Sequence, residues 1–299
     1  MVLFMAATLW ASGGEFVRLD TLTLLAKGFH GISDIAYDGK KGILYAVGDD
    51  GTLHHVALRV RNDRIETFRP FAAYPLRDKK GKPLEGKEAH DAEGLTLTPK
   101  GLLVTFERRP RAFYVTPDGH LVDEAKLPKP LRKKKDYRHP NKMLEAVAYH
   151  PRYGPIYAPE IPLAGRSRKH HTLYAEHHRF KLRNHAPISA LAVTDEGWLL
   201  VLERGYDDHE DRWEVWLTLL DPQSCSPKGK GCRTRRVAHL KGGSKKRRWV
   251  TNFEGLAALG DGRYLMISDD DGEKGTTVVV LFSLASEKKS AWQALFDWL

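Results

Sequence analysis

The chain has 299 residues, 41% of them hydrophobic, so it can bury a large core in one or two domains. Its 26 glycines and 16 prolines are ordinary usage, which excludes collagen-like and low-complexity classes. The formal net charge of +10 favours anionic partners such as phosphorylated small molecules, nucleic acid, acidic polysaccharide or anionic lipid, or it only keeps the protein in solution.

The first residues have the pattern of an export signal. Residues 2–10 form an apolar run, small residues follow at 11–14, and the run is too short to span a bilayer. A basic segment before the run is missing, and a buried first strand is the alternative. We predict that residues 1–14 are a signal peptide or its remnant. Residues 15–299 are then one domain of a periplasmic or secreted protein with no transmembrane segment.

Five copies of one strand pattern follow along the chain. Each copy has an apolar strand with a polar residue near its start, a hairpin turn, and a second apolar strand that ends in an acid. The first strands lie at 32–37, 92–97, 144–149, 188–193 and 253–258, and the second strands at 43–49, 102–107, 155–160, 198–203 and 264–269. Third strands follow in most copies, and a repeat of about 45 to 65 residues with four strands is typical of propeller blades.

The ends of this repeat predict how the ring closes. Residues 16–25 form a strand-like segment without a blade of its own, whereas the fifth copy has only three strands. We therefore predict an all-β fold, a β-propeller closed by the N-terminal strand, with five blades favoured and six possible. A sandwich of unrelated hairpins is the alternative, and the near-constant spacing within the copies argues against it.

The polar residues of the first strands predict a metal site. They are Ser33, Glu93, Glu145, Ser189 and Glu254. First strands line the channel of a propeller, so three carboxylates would converge there and repel one another. Calcium would relieve this repulsion, because oxygen ligands suit a hard cation. Alternatively, the acids accept hydrogen bonds from backbone amides of neighbouring strands. At the first position, a slip of one residue would turn Asp34 inward instead of Ser33.

The second strands predict a ring of acids at one mouth of the channel. These acids are Asp49, Glu107, Glu160, Glu203 and Asp269, and two of them precede an arginine. Calcium and a guanidinium group together suit a phosphate, and a carboxylate can orient the attacking water. The candidate catalytic residues are therefore Asp49, Glu107, Arg108, Glu203, Arg204 and Asp269. A salt bridge between blades is the alternative for each Glu-Arg pair.

Other features carry weaker indications. Cys225 and Cys232 flank a turn-rich loop, which predicts a disulfide in an oxidising compartment and supplies too few ligands for zinc. The lysine- and arginine-rich runs at 133–135 and 245–248 lack interleaved aromatic residues, so we expect no specific nucleic-acid binding. The apolar tail at 292–299 is expected to pack on the propeller.

Three blocks of the sequence resemble the phytase-like domain family, which is labelled "esterase-like activity of phytase". The blocks are residues 91–95 leading to 106–108, residues 200–205, and residues 252–256 leading to 267–271. The resemblance extends over roughly residues 28–284 and implies an exported protein. The inner-strand series is also similar to that of calcium-activated apyrases, five-bladed secreted nucleotidases that hold a channel calcium with a Ser, Glu, Glu, Ser, Glu set. The connecting loops do not resemble those of apyrases, so nucleotide specificity does not carry over.

These observations lead to one principal hypothesis and two alternatives. The first is a calcium-dependent hydrolase of phosphate esters or anhydrides, acting on an anionic phosphorylated small molecule. The second is a lactonase or carboxylesterase, because a metal in a propeller can also polarise a carbonyl oxygen. The third is a binding propeller without catalysis, in which the calcium is structural.

Overall fold

The structure is a computed structural model that describes residues 15–25, 28–86, 91–225, 231–243, 248–269 and 276–285. The predicted signal segment at 1–14 and the apolar tail at 292–299 lie outside these ranges.

Twenty strands of the described chain form five antiparallel sheets of four strands each. Blade 1 contains β2 (Ile32–Asp38), β3 (Ile43–Gly48), β4 (Thr52–Arg61) and β5 (Arg64–Pro75). Blade 2 contains β6 (Ala92–Thr98), β7 (Gly101–Phe106), β8 (Arg111–Val115) and β9 (Leu121–Ala125). Blade 3 contains β10 (Leu144–His150), β11 (Gly154–Pro159), β12 (His170–Tyr174) and β13 (Arg179–Arg183). Blade 4 contains β14 (Ile188–Val193), β15 (Leu199–Asp207), β16 (Arg212–Asp221) and β17 (Arg233–Lys241).

Blade 5 joins the two ends of the described chain. Its strands β18 (Phe253–Gly260), β19 (Arg263–Ser268) and β20 (Thr277–Ala285) are consecutive, and β1 (Glu15–Leu24) is the fourth. β1 runs antiparallel to β20, with Glu15 opposite Ala285 and Leu24 opposite Thr277. The predicted five-bladed propeller and its closure by the N-terminal strand are therefore confirmed.

The core lies between neighbouring blades, which explains why the middle strands are apolar on both faces. On β3, Leu44 and Ala46 pack toward blade 5, while Tyr45 and Val47 pack toward blade 2. The inner strands β2, β6, β10, β14 and β18 contact one another around the ring. A sheet buried on both faces needs nearly continuous hydrophobic sequence, and this is what the five copies show.

Each inner strand contains a β-bulge near its start. The pairing register shifts between Ile32 and Asp34, Ala92 and Leu95, Leu144 and Ala146, Ile188 and Ala190, and Phe253 and Gly255. The polar residue predicted for the channel lies inside every one of these shifts. A bulged residue has no partner on the next strand and its side chain is redirected, so the five bulges place these residues at one end of the channel.

Three short 3₁₀ helices lie in the connections: η1 (Lys129–Leu131), η2 (Lys134–Asp136) and η3 (Pro222–Ser224). A disulfide joins Cys225 to Cys232 beside η3, as predicted, and is compatible with an extracellular or periplasmic protein. Within the described ranges, no helix has the length and apolar character needed to cross a membrane.

Candidate functional site

A polar cavity of about 290 Å³ lies at the end of the channel where the inner strands begin. Seven acidic and two basic side chains line it. The acids are Asp49, Glu93, Glu107, Glu145, Glu160, Glu254 and Asp269, and the basic residues are Lys142 and Arg204. Ser33 and Asn141 complete its polar lining. The cavity therefore brings together most of the residues that the sequence pattern selected for the channel and its mouth.

One repeated hydrogen bond positions the mouth residues of all five blades. In each blade, the donor is the backbone N–H of the residue just after the apolar part of the second strand. The acceptor is the carbonyl of the residue two positions before the bulged polar residue. These bonds join Asp49 to Gly31, Glu107 to Asp91, Glu160 to Met143, Arg204 to Pro187, and Asp269 to Asn252, at 2.8 to 3.2 Å. The equivalent residue in blade 4 is thus Arg204 and not Glu203, so the mouth carries four acids and one arginine.

Arg204 partly neutralises the carboxylates of the channel. Its guanidinium forms an ion pair with Glu254, and its Nη2 lies 4.0 Å from Oε1 of Glu145. Burial lowers the pKa of Arg204, but the negative charges of Glu254 and Glu145 raise it by more, so the guanidinium stays charged. The Nε–H of Arg204 is buried and has no hydrogen-bond partner among the described residues. The cavity therefore holds a fixed positive charge with one donor still to be satisfied.

Glu203 points away from the cavity because adjacent residues of a strand face opposite sides. It is fully buried and accepts hydrogen bonds from the backbone N–H groups of His185, at 2.9 Å, and Ala186, at 3.4 Å. Its other oxygen lies 3.0 Å from Nδ1 of His185. Glu203 therefore holds the loop before β14 in place.

Ser189 is also placed outside the cavity lining. It is buried, and its hydroxyl donates to the carbonyl of Phe253 at 3.0 Å, so it joins the inner strands of blades 4 and 5. In blade 1, Ser33 lines the cavity while Asp34 lies deeper and is fully buried. Ser33, and not Asp34, is therefore the residue of blade 1 that faces the cavity.

Asp34 accepts hydrogen bonds from backbone amides of three blades. The donors are Ile35 of its own strand at 2.8 Å, Leu95 of blade 2 at 2.8 Å and Leu256 of blade 5 at 3.1 Å. Burial raises the pKa of Asp34 well above its usual range, although these three bonds act in the opposite direction. Asp34 therefore has the role that we gave as the alternative for the channel acids: it accepts hydrogen bonds from backbone amides of neighbouring strands.

The glutamates of blades 2 and 3 form two overlapping groups. Oxygens of Asp91, Glu93 and Glu107 lie within 4.8 Å of one another, and so do oxygens of Glu107, Glu145 and Glu160. Glu107 belongs to both groups and accepts a hydrogen bond from the backbone N–H of Met143 at 2.8 Å. Five carboxylates thus converge at the cavity, and one of them, Glu145, lies next to the pair formed by Arg204 and Glu254.

Burial and mutual repulsion disfavour the charged forms of these acids. Burial, together with neighbouring carboxylates, raises the pKa of Glu93 and of Glu145 well above the usual range. The pKa of Glu107 rises to about 7 for the same reasons, despite the bond from Met143. Burial also raises the pKa of Glu254, and Arg204 opposes this rise. A bound cation would reverse these shifts.

The sequence profile of the family described as "Phytase-like: Esterase-like activity of phytase" matches residues 27–272. The chain belongs to the phytase-like family. No curated protein matches the sequence. Solved structures of similar shape include the WD40 repeats of RRP9, with 8% identity and a TM-score of 0.47 over 91% of this chain and 100% of that chain. The β-propeller domain of Cps50 (Swd1) from Myceliophteria thermophila gives 10% identity and a TM-score of 0.43 over 87% and 99% of the two chains.

The carboxylate groups of this phytase-like protein fit a hard cation. The converging carboxylate ligands are all oxygens, as Ca²⁺ prefers, and the described residues that line the cavity include no cysteine or histidine. Oδ1 of Asn252, two residues before Glu254, is buried without a hydrogen-bond partner among the described residues. Of the metal ligands predicted from sequence, Glu93 and Glu145 belong to these groups. Ser33 and Glu254 lie elsewhere on the wall, and Ser189 is engaged with Phe253.

Arg108 lies beside the acidic cavity of the phytase-like protein and not inside it. Its backbone N–H donates to Oδ2 of Asp91 at 3.1 Å, and its Nε lies 3.3 Å from the same oxygen. Its side chain lines an adjacent basic cleft of about 400 Å³ with Lys134, Lys135, Arg138 and His139. Asn141 lines both spaces, so the acidic cavity and the basic cleft are neighbours.

The sequence pattern of this phytase-like chain did not select Asp91, Asn141 or Lys142 as site residues, and it named Glu160 only as a member of the mouth ring. Lys142 forms an ion pair with Glu160 at 2.7 Å. Asn141 and Lys142 belong to a loop that has no counterpart in the repeated pattern, so no sequence signal marks them. Asp91 carries a signal, because it lies two residues before the bulged Glu93 and its carbonyl accepts the mouth hydrogen bond of Glu107.

Proposed function

We propose that the acidic cavity binds Ca²⁺ and that the protein hydrolyses phosphate esters or anhydrides there. The observation that carries this proposal is the convergence of five carboxylates in two groups that share Glu107. Burial and mutual repulsion raise the pKa of Glu93, Glu145 and Glu107, so several negative charges at once are disfavoured there without a cation. Glu93, Glu107 and Glu145 would hold the ion, with Asp91 and Glu160 beside them. When bound, calcium neutralises this charge and polarises a phosphoryl oxygen.

Arg204 supplies the complement for an anionic substrate. It lines the cavity with its charge maintained, and its Nε–H lacks a partner among the described residues. A guanidinium group binds phosphate oxygens through parallel hydrogen bonds, so Arg204 would orient the substrate beside the carboxylates. Lys142, held by Glu160 at the rim, adds a second positive charge.

Asp49 is the residue that we assign as general base. It lines the cavity, stands outside both carboxylate groups, and forms no ion pair with another described residue. Burial raises its pKa, with a further contribution from Asp50, which makes it a better proton acceptor. A water oxygen attacks phosphorus as its proton passes to Asp49. The bond from phosphorus to the leaving oxygen breaks, and that oxygen takes a proton from solvent.

The test is phosphate release from p-nitrophenyl phosphate, phytate and nucleotides, with calcium or with a chelator. We expect calcium-dependent turnover that is lost in Asp49→Asn and Glu93→Gln and retained in the matched surface variant Glu66→Gln. Titration calorimetry with calcium gives a second readout, and Glu93→Gln should weaken binding by more than about tenfold. Calcium binding without turnover on any substrate would leave the binding propeller with a structural metal as the function.

A carboxylic ester or lactone is the second candidate substrate class. The family description names an esterase-like activity, and a metal that polarises a phosphoryl oxygen can also polarise a carbonyl. A panel of lactones and p-nitrophenyl acyl esters separates the two. Calcium-dependent hydrolysis of these compounds without phosphate release would favour the esterase.

A further inference from the structure

The outer hairpin of blade 3 carries a row of basic side chains on one face. The sequence of β13 alternates basic and apolar residues, with Phe180 and Leu182 buried against blade 4. Arg179, Lys181 and Arg183 therefore point to the opposite face. Their partners on β12 are Tyr174, Thr172 and His170, which share that face. From Arg179 to Arg183, the row is about 13 Å long at the usual rise of an extended strand.

This basic face forms part of a groove of about 900 Å³ whose lining, among the described residues, contains no acidic side chain. Arg166, Arg179 and Lys181 line it together with three histidines, His170, His177 and His178. Within the described ranges, no carboxylate lies within 4.0 Å of the charged groups of Arg166, Arg179, Lys181 or Arg183. These four cations are therefore not paired with a described carboxylate, unlike Arg204 in the channel, whereas His177 of the groove lies 3.9 Å from Glu176.

One cation of the groove, Arg179, is held in place by its neighbours. Arg179 donates to the carbonyls of Ala175 at 2.8 Å and His178 at 2.6 Å, and its guanidinium lies 5.0 Å from the ring centre of Tyr174. Burial lowers the pKa of Arg179, Tyr174 opposes this change, and the positive charge of Arg166 acts in the same direction as burial.

The disulfide loop of blade 4 contacts β13 and lines part of the same groove. Cys225 and Cys232 line it, and the backbone N–H of Cys232 donates to the carbonyl of Lys181 at 2.9 Å. Because Arg179 is already held on a braced strand pair, it loses little further freedom when an anion binds.

The surroundings of the row discriminate among polyanions. Single-stranded nucleic acid needs exposed aromatic faces for its bases, but Tyr153 of the groove already packs against Phe180 and His178, at 5.2 and 4.8 Å between ring centres. A membrane surface needs apolar side chains to insert, and the large exposed hydrophobic side chains of the described chain lie outside the groove. A chain of sugars with regularly spaced carboxylates needs neither of these.

We propose that this face, formed by Arg166, Arg179, Lys181, Arg183 and His170, binds an acidic polysaccharide of the uronate class. The sugar carboxylates accept hydrogen bonds from the guanidinium and ammonium groups along β13. The site lies on the outside of blade 3, separate from the channel cavity, and does not depend on the proposed hydrolase activity. It would hold the protein on an acidic matrix while leaving the channel mouth accessible.

The experiment measures binding of the full protein to polygalacturonate oligomers, with dextran oligomers of equal length as the neutral control. The test variant is Lys181→Glu with Arg183→Glu, which spares the hydrogen bonds of Arg179. The matched control is Arg235→Glu with Arg236→Glu on β17, which makes the same change in net charge elsewhere. We expect the test variant to weaken polygalacturonate binding by at least about tenfold, and the control to stay within about twofold of the wild type.

Several results would overturn the proposal. One is the absence of polygalacturonate binding by the wild type, and another is an equal loss in the two variants, which would indicate diffuse charge attraction. Tighter binding of oligothymidylate, or of vesicles of phosphatidylglycerol and phosphatidylcholine, would assign the groove to a different polyanion. Circular dichroism of both variants shows whether they remain folded.

Discussion

At the scale of single residues, the charge balance of the channel depends on which of two adjacent side chains faces it. The sequence pattern assigned an acid to the mouth in every blade, whereas the hydrogen bond from Arg204 to Pro187 places an arginine at that position in blade 4. This single arginine lies among carboxylates that would otherwise repel one another without compensation. Its removal should therefore affect the metal-free protein far more than the loss of a surface ion pair.

We predict that Arg204→Gln lowers the free energy of unfolding by about 3 kcal/mol in chelator, because Glu254 loses its buried partner. Calcium should restore part of this loss. Arg59→Gln is the control, since Arg59 and Glu66 pair at 3.2 Å with side chains 69% and 38% exposed, and it should cost less than about 1 kcal/mol. Urea unfolding measures both values. Equal losses in the two variants would contradict a structural role for Arg204.

Glu107 should make the stability of the metal-free protein depend on pH. Its pKa is about 7 in the folded protein against an ordinary value of 4.5, so between these values the folded state binds more protons than the unfolded state. The contribution of Glu107 to the free energy of unfolding is therefore greatest below pH 4.5 and falls as the pH rises to about 7. After allowance for solvent screening, we expect a fall of about 1–2 kcal/mol.

The variant Glu107→Gln should show a smaller fall over the same pH range, measured by urea unfolding in chelator. Glu93 and Glu145 have raised pKa values too, so some dependence in the same direction will remain. An unchanged slope in the variant would show that Glu107 ionises normally in the folded protein.

At the scale of elements, the bulges need glycine where neighbouring inner strands approach closely. A Cβ atom on Gly94 would lie 2.6 Å from the carbonyl oxygen of Glu145 in the next blade and 2.6 Å from Oγ1 of Thr105. Neither atom can move freely, because Oγ1 of Thr105 also accepts from the N–H of Gly94 at 2.8 Å and donates to the carbonyl of Glu145 at 3.2 Å. The Glu-Gly pairs of blades 2 and 5 thus combine a channel carboxylate with the space for close packing.

We predict that Gly94→Ala lowers the free energy of unfolding by about 2 kcal/mol or more, since the added methyl group forces the inner strands of blades 2 and 3 apart. Gly39→Ala is the control, because its nearest contact would be an ordinary 3.4 Å to the ring of Tyr37. Thermal unfolding of the two variants tests the difference. Similar melting temperatures would mean that the strands can separate at little cost.

The sequence predicts the elements of this protein better than their fine register. Five spaced copies predicted the blades, and the unmatched first strand predicted the closure, because both follow from apolar periodicity and strand count. A bulge shifts the pairing register locally by one or two residues, and the amino-acid composition does not indicate where it occurs. For this reason the sequence pattern could not show that Ser189 binds Phe253, or that Arg204 replaces Glu203 at the mouth. The loop that contains Lys142 lies outside the repeat, so the pattern could not indicate that Lys142 lines the cavity either.

At the scale of the whole molecule, one ion would act on several blades. Glu93 and Glu107 belong to blade 2 or its edge, and Glu145 and Glu160 to blade 3 or its edge, so a shared cation would hold two sheets together. Binding to the folded state alone stabilises it through mass action.

We predict that calcium at 100 times its dissociation constant raises the free energy of unfolding by about 2.7 kcal/mol. Magnesium should give a smaller effect, because it requires a tighter octahedral set of ligands. Differential scanning calorimetry measures the shift in melting temperature. The double variant Glu93→Gln with Glu145→Gln should lose it, and a shift that persists in this variant would place the calcium elsewhere.

The pairing of β1 with β20 also governs the order in which the ring can be assembled. Residues 15–24 precede blades 1 to 4 in the chain and residues 277–285 follow them, so these four blades can form during synthesis while β1 still lacks its partner β20. Until β1 pairs with it, β20 has a free edge to which any extended peptide can bind as an additional strand. A second molecule has the same β1 sequence to offer, so strand exchange into a domain-swapped dimer is the misassembly that this architecture favours at high concentration.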